Sequence, residues 1–395
     1  MATHIGIGFS QNTDTAEAGL EAAILAKTQL KHSEINLAIV FSTIHYNPAD
    51  FLPNIHSVLN QPKIIGCSSA GIILSKKIAM RGLAVVAIYS DDIHFGVSHV
   101  RCEESQDILT TGVTLAKEAI TDLGNHRRHA FIFFTDGLLK NNSLILRGTQ
   151  EILGSGFPIL GAGSCDDFHF KKTFQYYQDR FFTNATTGLL MGGQMSISLG
   201  SKHGWRPLGK PRIIDKADGH IIRTIDGKKA SSIYEEYFGD ETKNLRSSHL
   251  NQLTILYPLG IYLEEENEYL LRHAVNILDD GSIVCQDTIP EGVEVHIMIG
   301  NKDSCKQAAM DAAKEVQNNL FGKQPKLVII FESLARHKLL GRDSLEEIRL
   351  IDDILGKTAP IVGMYSYGEI SPFQSLYNIK KNHLQNQSIV ILAIA

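Results

Sequence analysis

Arg336 and Glu369 are the residues of this chain best suited to reading a charged ligand. A guanidinium forks onto a carboxylate and a carboxylate receives an amine, so the two facing each other would recognise both ends of an amino-acid-like molecule. The alternative is a structural ion pair. Hydroxyls stand near them at a repeated spacing. Aligned on Gly66, Gly161 and Gly363, three segments place a serine at the same offset, Ser69, Ser164 and Ser366; Ser68 precedes the first and Asp167 follows the second. Glycine permits positive φ and close backbone approach, so three such turns would line one pocket with amide donors and hydroxyls. They would equally serve as chain reversals at strand ends. Tyr365 and Tyr367 flank Ser366, and on an extended backbone both rings point one way, lining a pocket or filling core.

Nucleophilic chemistry is weakly signalled. Gly66-Cys67-Ser68-Ser69-Ala70 has part of a nucleophile elbow, but Ala70 stands where the second glycine belongs and nothing places a base beside Ser68. Cys67 and Cys165 occupy the same segments, where buried, inert thiols are the commoner outcome. Hydrolysis is a minor alternative.

The elements that must position these residues repeat three times. An apolar run precedes each glycine segment, at Leu37 to Phe41, Ala130 to Phe134 and Leu327 to Phe331, and such runs read as buried strands. Helices are expected between run and turn at Asn47 to Leu59, Asn142 to Leu153 and Asp343 to Leu355. In the last, Leu345, Ile348, Asp352 and Leu355 share a mostly apolar face, with Glu346, Glu347 and Arg349 elsewhere. Longer helices are expected before each unit, at Asp14 to Leu30 (with an Asp14/Glu17 capping box), Ser105 to Leu123 and Asp303 to Leu320. Strands follow at Leu83 to Ile88, Thr187 to Met191 and Ser388 to Ile394. The expectation is a mixed α/β fold, a two-domain protein of repeated helix–strand–helix–strand–turn–strand modules with helices covering mixed sheets. Two modules fill residues 1–200. The turn-rich Gly200 to Gly209, with the single tryptophan, marks a junction. Residues 201–395 then hold a strand-rich insert over 210–300, including expected strands at Thr254 to Leu263 and Tyr269 to Ile277, and the third module.

The totals limit the function classes. The 395 residues carry a net charge of −5, which gives no electrostatic reason to expect nucleic acid. No run approaches the roughly 20 apolar residues of a membrane span, the N-terminus lacks signal-peptide character, and five scattered cysteines do not form a disulfide framework. A cytoplasmic protein is expected. No Walker loop, kinase signature or DNA-reading helix supplies an output, so another protein would carry any message; a homodimer is left open.

Gly66-Cys67-Ser68-Ser69-Ala70-Gly71, Gly161-Ala162-Gly163-Ser164-Cys165-Asp166-Asp167 and Gly204-Trp205-Arg206-Pro207-Leu208-Gly209 resemble the N-terminal half of FIST sensory proteins and its junction. Phe331 to Arg336, Gly363 to Pro372 and His383 to Ser388 resemble the C-terminal FIST motifs, with Ser333 where the family often has cysteine. The resemblance implies an FIST N domain over 1–200, an FIST C domain over 201–395, and a sensor of small ligands that signals through a separate protein. A stand-alone chain resembles the branch that binds haem b, senses nitric oxide and regulates a partner histidine kinase. Within that reading His203, beside Trp205 at the junction, and His169, in Asp167-Phe168-His169-Phe170, are the candidate axial ligands. A haem-free module binding an amino acid or similar metabolite is the alternative.

Overall fold

The computed structural model describes residues 3–32, 34–102, 107–239, 250–357, 359–373 and 381–395. Ser105, the expected start of the second long helix, lies outside them; the helix spans Ile108–Leu123, capped by Asp107. The fold is mixed α/β. Each module opens with a strand that the sequence reading did not separate, Thr3–Ser10, Ile93–Arg101 or Ile197–Lys202. A long helix, a parallel pair of strands joined by a second helix, a short hairpin and a final antiparallel strand follow.

The parallel pairs are Leu37–Thr43 with Lys63–Ser69, Arg128–Asp136 with Ile159–Ser164, and Leu327–Ser333 with Ile361–Ser366. Their apolar runs arise because both faces are covered, by helices outside and by the other sheets within. Phe41, Phe134 and Phe331 occupy equivalent registers and meet edge to face at the centre, with centroids 5.7 Å apart in both contacts. The glycines that align the modules lie inside these strands rather than in turns. A Cβ on Gly66 would stand 1.8 Å from the Val40 carbonyl oxygen, and one on Gly363 2.3 Å from that of Ile330. Close strand approach, not chain reversal, requires them.

The hairpins are exchanged around a ring. Ile72–Leu74, from the first module, pairs with Ile361–Ser366 of the third. Gln175–Tyr177, from the second, pairs with Lys63–Ser69 of the first. Glu369–Pro372, from the third, pairs with Ile159–Ser164 of the second. Each module thus completes a neighbour's six-stranded sheet, and the three close on one another.

The strand-rich insert leaves the third module between Ile197–Lys202 and the helix Lys302–Asn319. A division at 200/201 falls inside the first of these, which pairs with Ile389–Ile394. Within the insert, Leu250–Leu256 is a helix and the strand begins at Leu259, correcting the expected strand from Thr254. The expected strand Tyr269 to Ile277 is broken at His273 into Glu268–Arg272 and Ala274–Ile277. The insert is tied to the ring by Asp287, which accepts the Ser143 amide at 3.0 Å, and by Arg272, whose Nη1 donates to the Leu384 carbonyl at 2.8 Å. Among the described residues no helix is long and apolar enough to cross a membrane.

Candidate ligand-binding site

The three serine-bearing strand ends converge. Ser69 Oγ donates to the Tyr365 carbonyl at 2.9 Å, and Cys165 Sγ reaches the same oxygen at 2.9 Å. Ser68 Oγ donates to the Cys165 carbonyl at 3.1 Å, and the Gly163 amide donates to the Gly368 carbonyl at 2.8 Å. Ser68, Ser69, Ser164 and Ser366 are all buried. The Ser164 hydroxyl donates to the Thr135 carbonyl at 2.9 Å. Ser68 and Ser69 therefore serve the junction of the modules, while Ser164 bonds within its own. Ser68 has no titratable group among its hydrogen-bond partners, Cys165 O and the Phe174 amide. Burial pushes the Cys67 and Cys165 thiols well up, which disfavours the reactive thiolate.

Beside this junction lies a cavity of about 230 Å³. The third strand end supplies Ser366, Tyr367 and Gly368, the second module supplies Gly137 to Lys140 with Phe168 and Phe170, and the insert supplies His273, Val275 and Gln286. Ser333 to Ala335, Asn386 and Gln387 close it. The second and third modules thus share a cavity with the insert, while the first strand end supplies none of the lining.

The wall is fixed by a chain of side chains. Tyr367 Oη donates to Asp166 Oδ1 at 2.6 Å and receives the Phe168 amide at 3.0 Å. Asp166 also accepts the Phe170 and Lys171 amides at 2.9 and 2.8 Å, folding the loop that carries both phenylalanines. Phe170 stacks on Tyr367 with centroids 4.6 Å apart. On the far side Asn386 Nδ2 donates to Gln286 Oε1 at 2.8 Å, and Gln286 Nε2 donates to the Tyr367 carbonyl at 2.8 Å. Three bulky or long side chains of the wall hold left-handed backbone, Phe168 at φ +68°, Phe170 at +52° and Gln387 at +54°. Such conformations persist only where surrounding structure enforces them, and they concentrate at functional sites.

Two buried polar groups of the wall lack hydrogen-bond partners. Neither ring nitrogen of His273 makes a hydrogen bond of normal geometry, the Thr254 backbone offering only a weak one; Gln387 Oε1 has no donor, and these atoms are sealed from the cavity as well as from bulk water. Burial holds the His273 imidazole down to about 4, against the opposing Thr254 backbone hydrogen bond, so it is neutral at pH 7. One layer behind Ser366, Glu369 accepts from Ser366 Oγ at 2.7 Å and from Ser388 Oγ at 2.8 Å. Its burial raises the carboxyl to about 7 despite these hydrogen bonds.

Arg336 does not face Glu369. Its guanidinium pairs with Glu347 and donates to the His203 and Cys305 carbonyls, fully buried. Glu347, expected on the outer face of its helix, is fully buried because the observed stripe is Ser344, Glu347, Ile348, Ile351 and Leu355. Arg336 Nε lies 3.8 Å from Glu332, whose pKa is pushed well up, by burial first and by Glu347 second. Tyr365 is also fully buried, its ring 4.6 Å from that of His337, while Tyr367 reaches the cavity. Asp167 lies away from the lining, 3.5 Å from His169.

Haem b does not fit the residues nominated for its iron. His203 Nε2 lies 3.1 Å from Glu268 and its Nδ1 accepts the Trp205 amide at 2.9 Å, so both nitrogens are engaged. His169 has a side chain 67% exposed and outside any enclosed pocket described here. The cavity beside Tyr367, at about 230 Å³, is smaller than the roughly 300–1,000 Å³ of drug-sized sites, and the ring nitrogens of its one lining histidine are sealed from it.

Comparison with known proteins agrees with the module pattern. The FIST N domain model matches residues 36–228 and the FIST C domain model residues 230–372. The chain belongs to the FIST family, and a sensory, ligand-binding role attaches to it at that level. An uncharacterised protein of Mycobacterium tuberculosis is 23% identical over 93% of this chain and 94% of its own length. An uncharacterised protein of Methanocaldococcus jannaschii is 22% identical over 65% of this chain and 52% of its own length. Among solved structures, cyanuric acid hydrolase from A. caulinodans aligns over 100% of this chain and 99% of its own, at TM-score 0.40 and 7% identity, too distant to carry chemistry across.

Asn386 and Gln387 lie in the His383 to Ser388 motif of the family resemblance, without a role assigned to either, whereas His273 and Gln286 were not singled out from the sequence. The strand break at His273 shows only in the structure.

Proposed function

We propose that this protein is a sensory module that binds a small ligand, without haem, in the cavity between the second and third modules and the insert. A separate signalling protein, a histidine kinase in the version the resemblance implies, receives the change. The observation that carries this reading is a cavity assembled from three separate parts of the chain, with its wall fixed by the Tyr367–Asp166 and Asn386–Gln286 hydrogen bonds and by left-handed backbone at Phe168, Phe170 and Gln387. The cavity also joins ring and insert, so an occupant touching both acts on their relative placement, as a switch requires.

Thermal unfolding of the native chain against a metabolite collection, repeated with Val275→Trp and Leu139→Trp to fill the space, tests this. Ligands that raise Tm in the native chain and not in the filled variants support it. No stabilising ligand, or equal stabilisation in all three, contradicts it. A Soret band on adding haem that is lost in His203→Ala would overturn the haem-free reading.

A further inference from the structure

Most polar side chains of the cavity wall are already engaged. Ser366 gives its hydroxyl to Glu369 and Tyr367 gives its own to Asp166, while Gln286 and Asn386 bond to each other and to backbone. The His273 nitrogens and Gln387 Oε1 are sealed from the space. The Ser333 hydroxyl and Gln387 Nε2 differ: they find no hydrogen-bond partner among the described residues and are open to the cavity that both residues line. The Ser333 amide donates to the Ser388 carbonyl at 2.9 Å, which puts Ser333 beside the Gln387–Ser388 peptide.

Comparison of the modules shows why Ser333 is free. Thr43, Asp136 and Ser333 end the equivalent strands, paired in register with Ser69, Ser164 and Ser366. Thr43 Oγ1 accepts the Gly82 amide at 3.2 Å and Asp136 Oδ2 accepts the Asn184 amide at 3.0 Å, each just before its module's last strand. In the third module the corresponding amide, Ser388, goes to Glu369 at 3.1 Å, and the Ser333 hydroxyl is left to the cavity.

The charge around the space has one sign. Among the described lining residues there is no aspartate or glutamate; Lys140 is exposed there, and Lys338 Nζ stands 5.9 Å from the centre of the Phe168 ring. A carboxylate would meet an O–H donor, an N–H donor and two nearby cations, whereas an ammonium group would meet no anion to offset its burial. Size sets the other limit. An apolar protein cavity on the order of 150 Å³ holds benzene, so about 230 Å³ has room for one ring and a carboxylate.

We propose that the cavity takes a small monocarboxylate with an apolar body, its carboxylate on Ser333 and Gln387 in the field of Lys140 and Lys338, and its body against Phe168 and Phe170. This rests on the ligand-binding reading above and narrows its ligand class.

The test uses the full chain with benzoate, benzamide and benzylamine at pH 7.5, probes that share one ring and differ in charge, with affinities read by ligand-observed NMR. The expected order is benzoate tightest and benzamide weaker, with no binding of benzylamine and all binding lost in Val275→Trp. Ser333→Ala should weaken benzoate roughly tenfold, the cost of one hydrogen bond to a charged group. Because that hydroxyl has no partner in the protein, this variant should fold as the native chain does, and a poorly folding Gln387→Met does not rescue the idea. Gln387→Met should weaken benzoate by a similar factor. Lys140→Met and added salt should each weaken benzoate and leave benzamide unchanged. Benzamide binding as tightly as benzoate overturns the proposal, as does benzoate binding that ignores Ser333→Ala and Lys140→Met. Absence of benzoate binding, or benzylamine binding that Val275→Trp abolishes, overturns the ligand class and leaves the cavity reading to the ligands found by thermal unfolding. Binding of any probe untouched by Val275→Trp would remove the site itself.

Discussion

The segment Glu332 to Arg336 feeds two regions that bury polar atoms on opposite plans. Glu332 and Arg336 point into the core, where with Glu347 they form a charged cluster fully sealed from solvent. Ser333, Leu334 and Ala335 face the cavity, where the buried polar groups are neutral and two of them have no partner. In the first region Arg336 pairs with Glu347, while both Glu332 oxygens, Arg336 Nε and Glu347 Oε2 keep no hydrogen-bond partner, and the cluster is packed without any space for a ligand. In the second, neutral polar and aromatic side chains border an open space. The residues with the strongest chemistry by type therefore hold the fold, and quieter ones shape the site.

The largest effect should come from breaking the charged cluster. Arg336→Leu strands the Glu347 carboxylate in the core, and losing one partner of a buried pair costs about 3–5 kcal/mol. Urea unfolding should show that loss, and adding Glu347→Leu should restore much of it, because an apolar pair of similar volume replaces a buried ion pair with little penalty. A mild Arg336→Leu phenotype with weakened ligand binding would reverse the comparison.

Glu369 stands between the two regions and should show itself through pH. Its folded pKa, about 7, lies above the ordinary value of 4.5. The folded state therefore holds the proton more tightly. This contribution is fully present below pH 4.5 and is lost as pH rises through 7, at about 1.4 kcal/mol per unit within that window. Glu369→Gln should flatten the stability profile between pH 4.5 and 7 in urea titrations, and an unchanged slope would contradict the assignment.

Smaller effects belong to the cavity wall. Gln387→Gly relieves left-handed backbone and should raise stability by up to about 1 kcal/mol while weakening binding. His273→Phe removes an unsatisfied imidazole and should leave stability within about 1 kcal/mol of the native value. A large loss in either would mean that these residues hold the fold as Arg336 does.

The modules were legible because parallel strands covered on both faces leave long apolar runs, and because close strand approach demands glycine at Gly66, Gly161 and Gly363. The hairpin exchange was not, since Ile72–Leu74 finds its partner in Ile361–Ser366, far along the chain. Glu347 was misplaced because the apolar stripe of its helix was set one residue off, at Leu345 and Asp352 instead of Ser344 and Ile351; a carboxylate on the true stripe then passed as a surface charge. Thr254 to Leu256 are β-branched and apolar enough to read as strand, yet they end a helix. A shared pocket at the glycine segments was expected, and Ser366 and Tyr367 do border one, but its other walls near 138, 273 and 286 come from segments that carry no motif and are far apart in the chain.

The central claim is that ligand recognition lies in the cavity beside Tyr367 and not at the junction histidine His203. In the full chain carrying isotope-labelled histidine, a ligand that raises Tm should shift the imidazole resonances of the lining residue His273, assigned through His273→Phe, and leave those of His203 unmoved. A perturbed His203 with an unchanged His273 would contradict the account.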